Sequence, residues 1–133
     1  MIRQRLGKDL LFFDGGMGTL LQEKGLAPGE LPETWNLTHS EEIYKIHRQY
    51  IEAGSDIILT NTFGANALKF HDDSCSLEEI IKAAVSHVKK AEREALLQTG
   101  DERKIYTALD VGPTGKLLKP MGDLEFETAY EAF

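Results

Sequence analysis

The chain has 133 residues, of which 41% are hydrophobic and 28% charged, a composition typical of a globular protein rather than a disordered one. Its 22 acidic residues exceed its 15 basic residues, and the net charge of −7 argues against a nucleic-acid or anionic-membrane surface. No apolar run approaches the ~20 residues that cross a bilayer. The single cysteine excludes an internal disulfide and favours a reducing, cytoplasmic setting.

Three short apolar runs are predicted to form strands. They span residues 10–13, 56–60 and 105–109, and each ends in a turn of polar residues and glycines. Continuous apolar runs of this length are typical of strands buried on both faces, as in a parallel sheet.

The first well-defined helix is predicted over residues 40–53, where an apolar stripe includes the inward position of His47. Thr38 and Glu41 have the spacing of a capping box, and Gly54 stands where a helix-terminating glycine belongs. We interpret His47 as a core histidine rather than a metal ligand.

A second amphipathic helix is predicted over residues 77–98. Ser76 and Glu79 fit a capping box at its start, and Gly100 is the stop signal. A third helix is predicted to begin after Asp123, at Leu124. Because the chain ends inside this helix, we expect it to be truncated there.

The alternation of strands and helices predicts an α/β fold with parallel pairing. The order suits either a doubly wound sheet or a (β/α)8 barrel. The strands begin roughly 45–50 residues apart, so the chain holds about three βα units, whereas a barrel needs eight. We therefore expect residues 1–133 to form the N-terminal part of one domain, and an open sheet of this kind to self-associate.

Parallel α/β folds bind ligands at the carboxyl ends of their strands, where polar residues and glycines follow each predicted strand. Glycines let backbone N–H groups approach an anion, and a carboxylate can bind an ammonium group. Together they suit a zwitterion such as an amino acid. The candidate substrate-binding residues are Asp14, Gly15, Gly16, Asn61, Thr62 and Asp110.

Structural explanations of the same residues stay open. Asn61 and Thr62 also fit a helix cap, and Asp110 also fits an Asx-turn. The glycines of the first turn lack the spacing of a nucleotide fingerprint. Cys75 has no second cysteine or paired histidine to complete a metal site, so we predict no metal ligand in this chain.

The turn motifs, in this order, resemble those of the homocysteine S-methyltransferase family. The resemblance is strongest to the N-terminal homocysteine-binding domain of its cobalamin-dependent methionine synthase branch, and it covers nearly the whole chain. It is carried by the motifs at residues 14–19, 31–37, 47–56, 58–65 and 110–115. The motifs Thr-Asn-Thr-Phe-Gly-Ala at residues 60–65 and Gly-Pro-Thr-Gly at residues 112–115 are together specific for this family. The first glycine turn alone is not.

This resemblance implies a (β/α)8 barrel in which a zinc-bound homocysteine thiolate receives a methyl group and becomes methionine. In the cobalamin-dependent branch, methylcobalamin is the donor, and downstream domains bind cobalamin and methyltetrahydrofolate. Asp14 should face the substrate amino group, and Gly15 and Thr62 should hold the amino-acid portion. The turn 112–114 should shape the pocket beside Asn61 and Asp110.

The resemblance also implies where the zinc ligands are. The family's three zinc cysteines lie on later strands, and Cys75 matches none of them, so this chain alone is expected to be inactive. No catalytic residue is assigned. Two alternatives remain: a non-enzymatic α/β module that binds an amino acid or anion, or another barrel enzyme with Asp14 or Asp110 as general base.

Overall fold

Three parallel backbone segments form the centre of the computed structural model, which describes residues 2–72, 74–100 and 103–133. Strand β1 (Ile57–Leu59) pairs in parallel with strand β2 (Tyr106–Ala108). On the other side of β1, Phe13 makes an isolated parallel bridge to Ile57. The fold is therefore mixed α/β with parallel strands, as the apolar runs predicted.

Helices cover this sheet. The long helices α3 (Ser40–Ala53) and α4 (Leu77–Thr99) pack against each other and contribute half of the buried apolar side chains among the described residues. Within the described residues, no helix combines the length and apolarity that crossing a membrane requires. The α-helices are α1 (Met17–Glu23), α2 (Trp35–Thr38), α3 (Ser40–Ala53), α4 (Leu77–Thr99) and α5 (Phe126–Glu131), with short 3-10 turns at Ile2–Gln4 and Pro32–Thr34.

The ends of α4 confirm the sequence signals. The Ser76 hydroxyl accepts the Glu79 N–H at 3.2 Å, and the Glu79 carboxylate accepts the Ser76 N–H at 2.9 Å, which completes the capping box. Gly100 ends α4 with a φ of 65°, and Gly54 ends α3 with a φ of 111°. Both values lie in the left-handed region that glycine adopts without strain.

The predicted capping box at the start of α3 is wrong. His39, not Thr38, is the N-cap residue, and it makes no side-chain cap. Thr38 is the last residue of α2, and its hydroxyl donates to the carbonyl oxygen of Thr34 at 3.2 Å. Because α2 ends directly before α3, this hydroxyl bonds one turn back instead of forward.

The predicted first strand at residues 10–13 is reduced to a single bridge. The carbonyl oxygen of Phe12 accepts the N–H groups of both Asp56 and Ile57, at 2.8 and 3.0 Å, so the regular ladder does not extend. The side chains of Leu10 and Phe12 are exposed, because nothing in the described residues covers this edge of the sheet. The third predicted helix begins at Phe126 rather than at Leu124.

The core consists of two clusters, one between α3, α4 and the strands and one around α1 and α2. His47 of α3 is fully buried near them, and neither ring nitrogen has a hydrogen-bond partner among the described residues. Burial, with a smaller contribution from His87, lowers the pKa of His47 from 6.5 to about 4. The clusters comprise Tyr44, Ile51, Ile58, Val88, Ala91, Ala95 and Ile105, and Leu21, Leu26, Trp35, Ile43 and Ile46.

His47 should make the fold sensitive to acid. A histidine that burial keeps neutral binds fewer protons in the folded than in the unfolded state, so acid favours unfolding. Its stabilising contribution is complete above pH 6.5 and is lost between pH 6.5 and about 4. The loss over this window should reach about 3 kcal/mol, measured by urea unfolding at each pH.

The variant His47→Leu should make the free energy of unfolding less dependent on pH between 4 and 6.5. Groups common to the wild type and the variant cancel when the two profiles are subtracted. His71→Leu, at an exposed histidine, controls for the loss of a histidine as such. Parallel profiles for the wild type and His47→Leu between pH 4 and 6.5 would contradict the assignment.

Candidate functional site

A pocket of about 520 Å³ lies at the carboxyl ends of the three parallel segments. It is formed by the turns that follow Phe13, β1 and β2, together with the 3-10 turn Pro32–Thr34. Parallel pairing aligns the ends of the segments, and so brings together residues that are far apart in the sequence. All six predicted site residues line this pocket: Asp14, Gly15, Gly16, Asn61, Thr62 and Asp110.

Asp14 has one bonded and one unbonded carboxylate oxygen. Its Oδ2 accepts the N–H of Leu59 at 3.0 Å, while its Oδ1 is buried and has no partner among the described residues. Burial raises the pKa of this carboxyl to about 6, and the nearby charge of Asp110 adds to the rise, against the lowering effect of the Leu59 N–H. A donor or cation placed beside Oδ1 would relieve this cost.

The turn Gly15–Gly16 is fixed by Tyr50 of α3. The Tyr50 hydroxyl donates to the carbonyl oxygen of Gly16 at 3.2 Å. A Cβ on Gly15 would lie 2.8 Å from the Tyr50 Oη and 3.1 Å from its Cε1, closer than side chains pack. Burial and the Asp14 charge both raise the pKa of Tyr50, so it remains a neutral donor. A side chain at position 15 would therefore displace the Tyr50 ring.

A closed ring of hydrogen bonds joins the ends of β1 and β2. The Thr62 hydroxyl donates to the Asp110 carbonyl oxygen at 2.8 Å, and the Asp110 N–H donates to the Thr60 Oγ1 at 3.2 Å. The two threonine oxygens are 2.7 Å apart. Because the Thr62 proton is used on Asp110, the Thr60 hydroxyl must be the donor between them. The ring fixes the Asp110 backbone at the pocket edge.

Asn61 connects β1 to α2. Its Nδ2 donates to the Pro32 carbonyl oxygen at 2.8 Å and to the Asn36 Oδ1 at 3.3 Å, and the Asn36 Nδ2 donates to the Asn61 carbonyl oxygen at 2.8 Å. Asn61 and Thr62 thus cap no following helix. Their side chains hold neighbouring segments together around the pocket.

Sequence reasoning missed two charged pocket residues. Glu33 is only 3% exposed, and Lys69 lies with its ammonium nitrogen 5.2 Å from the centre of the Phe63 ring. Lys69 is the one basic side chain among the pocket residues that the structure describes. Glu33 belongs to the motif at residues 31–37, which contributed to the family resemblance but not to the predicted site. The sequence signal for Glu33 was a carboxylate directly after a proline in a loop.

Other residues singled out in the sequence lie outside this pocket. The turn 112–114 packs closely against Phe63, which lines the pocket, since a Cβ on Gly112 would lie 2.1 Å from the Phe63 carbonyl oxygen. Trp35 is buried among apolar side chains, and its indole N–H donates to Glu30 at 2.7 Å. Cys75 lines a separate surface depression.

The described residues do not fit a zinc site. Residues 2–72, 74–100 and 103–133 contain no group of three or more histidine, cysteine, aspartate or glutamate side chains that could hold a metal ion. The pocket itself offers carboxylates and hydroxyls rather than the thiolates and imidazoles that structural and catalytic zinc prefers.

The comparisons with known proteins agree on one family. The model of the homocysteine S-methyltransferase family matches residues 11–133. A methionine synthase of Mycobacterium leprae is 30% identical over 136 residues, covering 98% of this chain and 11% of that protein. The chain thus spans a small part of this relative.

Two solved structures have a similar fold. The homocysteine methyltransferase MmuM of Escherichia coli in its metallated form aligns with a TM-score of 0.73 at 24% identity, over 86% of this chain and 42% of that chain. Its oxidized form aligns with a TM-score of 0.71 over 86% of this chain and 41% of that chain. This chain spans less than half the length of either.

The packing of Tyr50 on the glycine turn generates a prediction. Gly15→Ala should lower the free energy of unfolding by about 1–3 kcal/mol, because the added methyl group overlaps the Tyr50 ring. In the background of Tyr50→Leu, the same substitution should cost distinctly less, which a double-mutant cycle measures by chemical denaturation.

Gly18→Ala is the matched control, because nothing lies within 4 Å of a Cβ at that position. This substitution should leave the free energy of unfolding unchanged or raise it slightly, since position 18 lies in α1 and alanine is a better helix former than glycine. Additive effects of Gly15→Ala and Tyr50→Leu would show that the tyrosine does not set the requirement for glycine.

Proposed function

Because this chain belongs to the homocysteine S-methyltransferase family, we propose that its pocket binds the amino-acid end of homocysteine for transfer of a methyl group to the substrate sulfur. The chain would contribute the first three βα units of a (β/α)8 barrel. The parallel order of residue Phe13, β1 and β2, with the pocket at their carboxyl ends, supports this placement.

Asp14 is the observation that carries the proposal. It is a partly buried carboxylate whose Oδ1 has no partner in the part of the chain that the structure describes, and its pKa is raised to about 6. An ammonium group beside Oδ1 would supply both the missing hydrogen bond and the compensating charge. The α-amino group of an amino acid is such a group at neutral pH.

The carboxylate of the same amino acid needs positive or N–H partners. The turn Gly15–Gly16 and the Lys69 side chain line the pocket and would provide such partners. Asn61 and the ring of Thr60, Thr62 and Asp110 would keep the pocket in shape, because the Asn61 amide nitrogen, the threonine hydroxyls and the Asp110 backbone are already bonded to protein partners.

The sulfur end of the substrate would be served by groups outside this chain. Zinc-binding cysteines, a methylcobalamin donor and domains for cobalamin and methyltetrahydrofolate belong to this proposal for a longer cytoplasmic protein, of which this chain would be one part. The role left to the residues of this chain is to bind and orient homocysteine.

Asp14→Asn should weaken the binding of L-homocysteine about 10- to 100-fold, the effect of losing one charge-assisted hydrogen bond. In the wild type, bound ammonium should lower the pKa of Asp14. Affinity should therefore rise as the pH increases through about 6, with proton release on binding below that pH. Calorimetry in buffers of different ionisation enthalpy measures both.

Asp9→Asn is the control, because Asp9 pairs with Arg5 and does not line the pocket. It should bind homocysteine as the wild type does, while Asp14→Asn should lose the pH dependence. Equal affinity of the wild type and Asp14→Asn would refute the proposed role of this carboxylate.

The chain on its own should not form methionine. Its sequence has a single cysteine, Cys75, which lies apart from the pocket, so a three-thiolate zinc site cannot be assembled from it. Incubation of the 133-residue chain with zinc, homocysteine and methylcobalamin, analysed by mass spectrometry, should show no methionine above the protein-free control. Zinc-dependent turnover would contradict the proposal.

A further inference from the structure

Two buried carboxylate oxygens lack hydrogen-bond partners among the described residues, and both belong to residues of the same pocket. They are Oδ1 of Asp14 and Oε2 of Glu33. Buried polar atoms are nearly always bonded, because an unbonded one forfeits its hydration without compensation. Two such acceptors in one pocket indicate that a shared donor belongs there.

The Glu33 carboxylate is held in place by its other oxygen. Oε1 accepts the N–H of Gly64 at 2.5 Å, and a Cβ on Gly64 would lie 2.8 Å from the same oxygen. The preceding residue, Pro32, is tied to Asn61 through its carbonyl oxygen. Glu33 therefore cannot turn Oε2 towards solvent without breaking the contact to Gly64, so this oxygen stays buried.

We propose that Glu33 is a second substrate-binding carboxylate, which shares the α-ammonium group of the amino acid with Asp14. This rests on the proposed function and extends it to a residue from a different loop. An ammonium group has three N–H donors, enough to serve Oδ1 of Asp14, Oε2 of Glu33 and one further acceptor. Its charge would offset two carboxylates that line the same pocket.

The charge of the pocket favours an ammonium over a neutral donor. Asp14, Glu33 and Asp110 are three acidic side chains against the single base Lys69 in the described lining. A water molecule could satisfy the hydrogen bonds but not the excess negative charge. A primary ammonium group supplies both.

The alternative role for Glu33 is purely structural, through its hydrogen bond to Gly64. Glu33→Gln separates the two. The amide oxygen of glutamine can still accept the Gly64 N–H, while the NH₂ group replaces Oε2 and would repel an ammonium. The fold should thus be retained, which a thermal melt followed by circular dichroism checks.

The test compares two ligands on the 133-residue chain by calorimetry: L-homocysteine, and 4-mercaptobutanoate, which lacks the amino group. Glu33→Gln should weaken homocysteine binding at least 10-fold relative to the wild type. It should leave 4-mercaptobutanoate binding unchanged or tighter, since that ligand brings no ammonium. Because the ratio of the two affinities is compared, an inactive fraction of protein does not alter it.

Glu30→Gln is the matched control, a carboxylate three residues earlier that bonds to Ala27 and Trp35 and does not line this pocket. It should leave the ratio unchanged. An equal loss for both ligands in Glu33→Gln would show a structural role and overturn the inference while leaving the proposed function intact. Failure of the wild type to bind homocysteine would overturn both.

Discussion

The pairing of Ile57 with Phe13 on one side and with Tyr106 on the other is the constraint on which the site depends. Ile57 is buried, and its N–H and carbonyl groups bond to the first segment on either side of this bridge. This register places Asp14, Thr60 and Asp110 beyond the ends of three adjacent segments. A shift by one residue would turn their side chains to the other face.

Around that register, the site is built at the expense of local stability. Asp14 and Glu33 each keep a buried oxygen without a partner among the described residues, and the charge of Asp14 lies near that of Asp110. Such an arrangement persists only because surrounding contacts hold these side chains in place. They are the packing of the Tyr50 ring on Gly15, the amide pair of Asn36 and Asn61, and the ring of hydrogen bonds among Thr60, Thr62 and Asp110. A perturbed carboxylate supported in this way, as Asp14 is, is characteristic of binding sites rather than of structural cores.

Much of this could be predicted from local sequence, and the remainder could not for physical reasons. The boundaries of α4 follow from Ser76, Glu79 and Gly100, because caps act within one helical turn. The pocket residues follow from the rule that polar turns after parallel strands converge. The prediction of a full strand at residues 10–13 was wrong. Strand formation depends on backbone pairing with a neighbouring strand, and an apolar run does not itself specify that pairing. The burial of Glu33 at the pocket could not be predicted, because it depends on a contact with Gly64, 31 residues away.

The contacts that close the pocket join segments distant along the chain, 45 residues apart for Asp14 and Leu59 and 48 apart for Thr62 and Asp110. Closing loops of this length carries an entropic cost that only the packing of α3 and α4 on the strands can offset. A chain in which only single helices have formed therefore has no pocket at all. The site and the tertiary fold should appear and melt as one cooperative unit, so that occupancy of the pocket reports on the integrity of the whole chain.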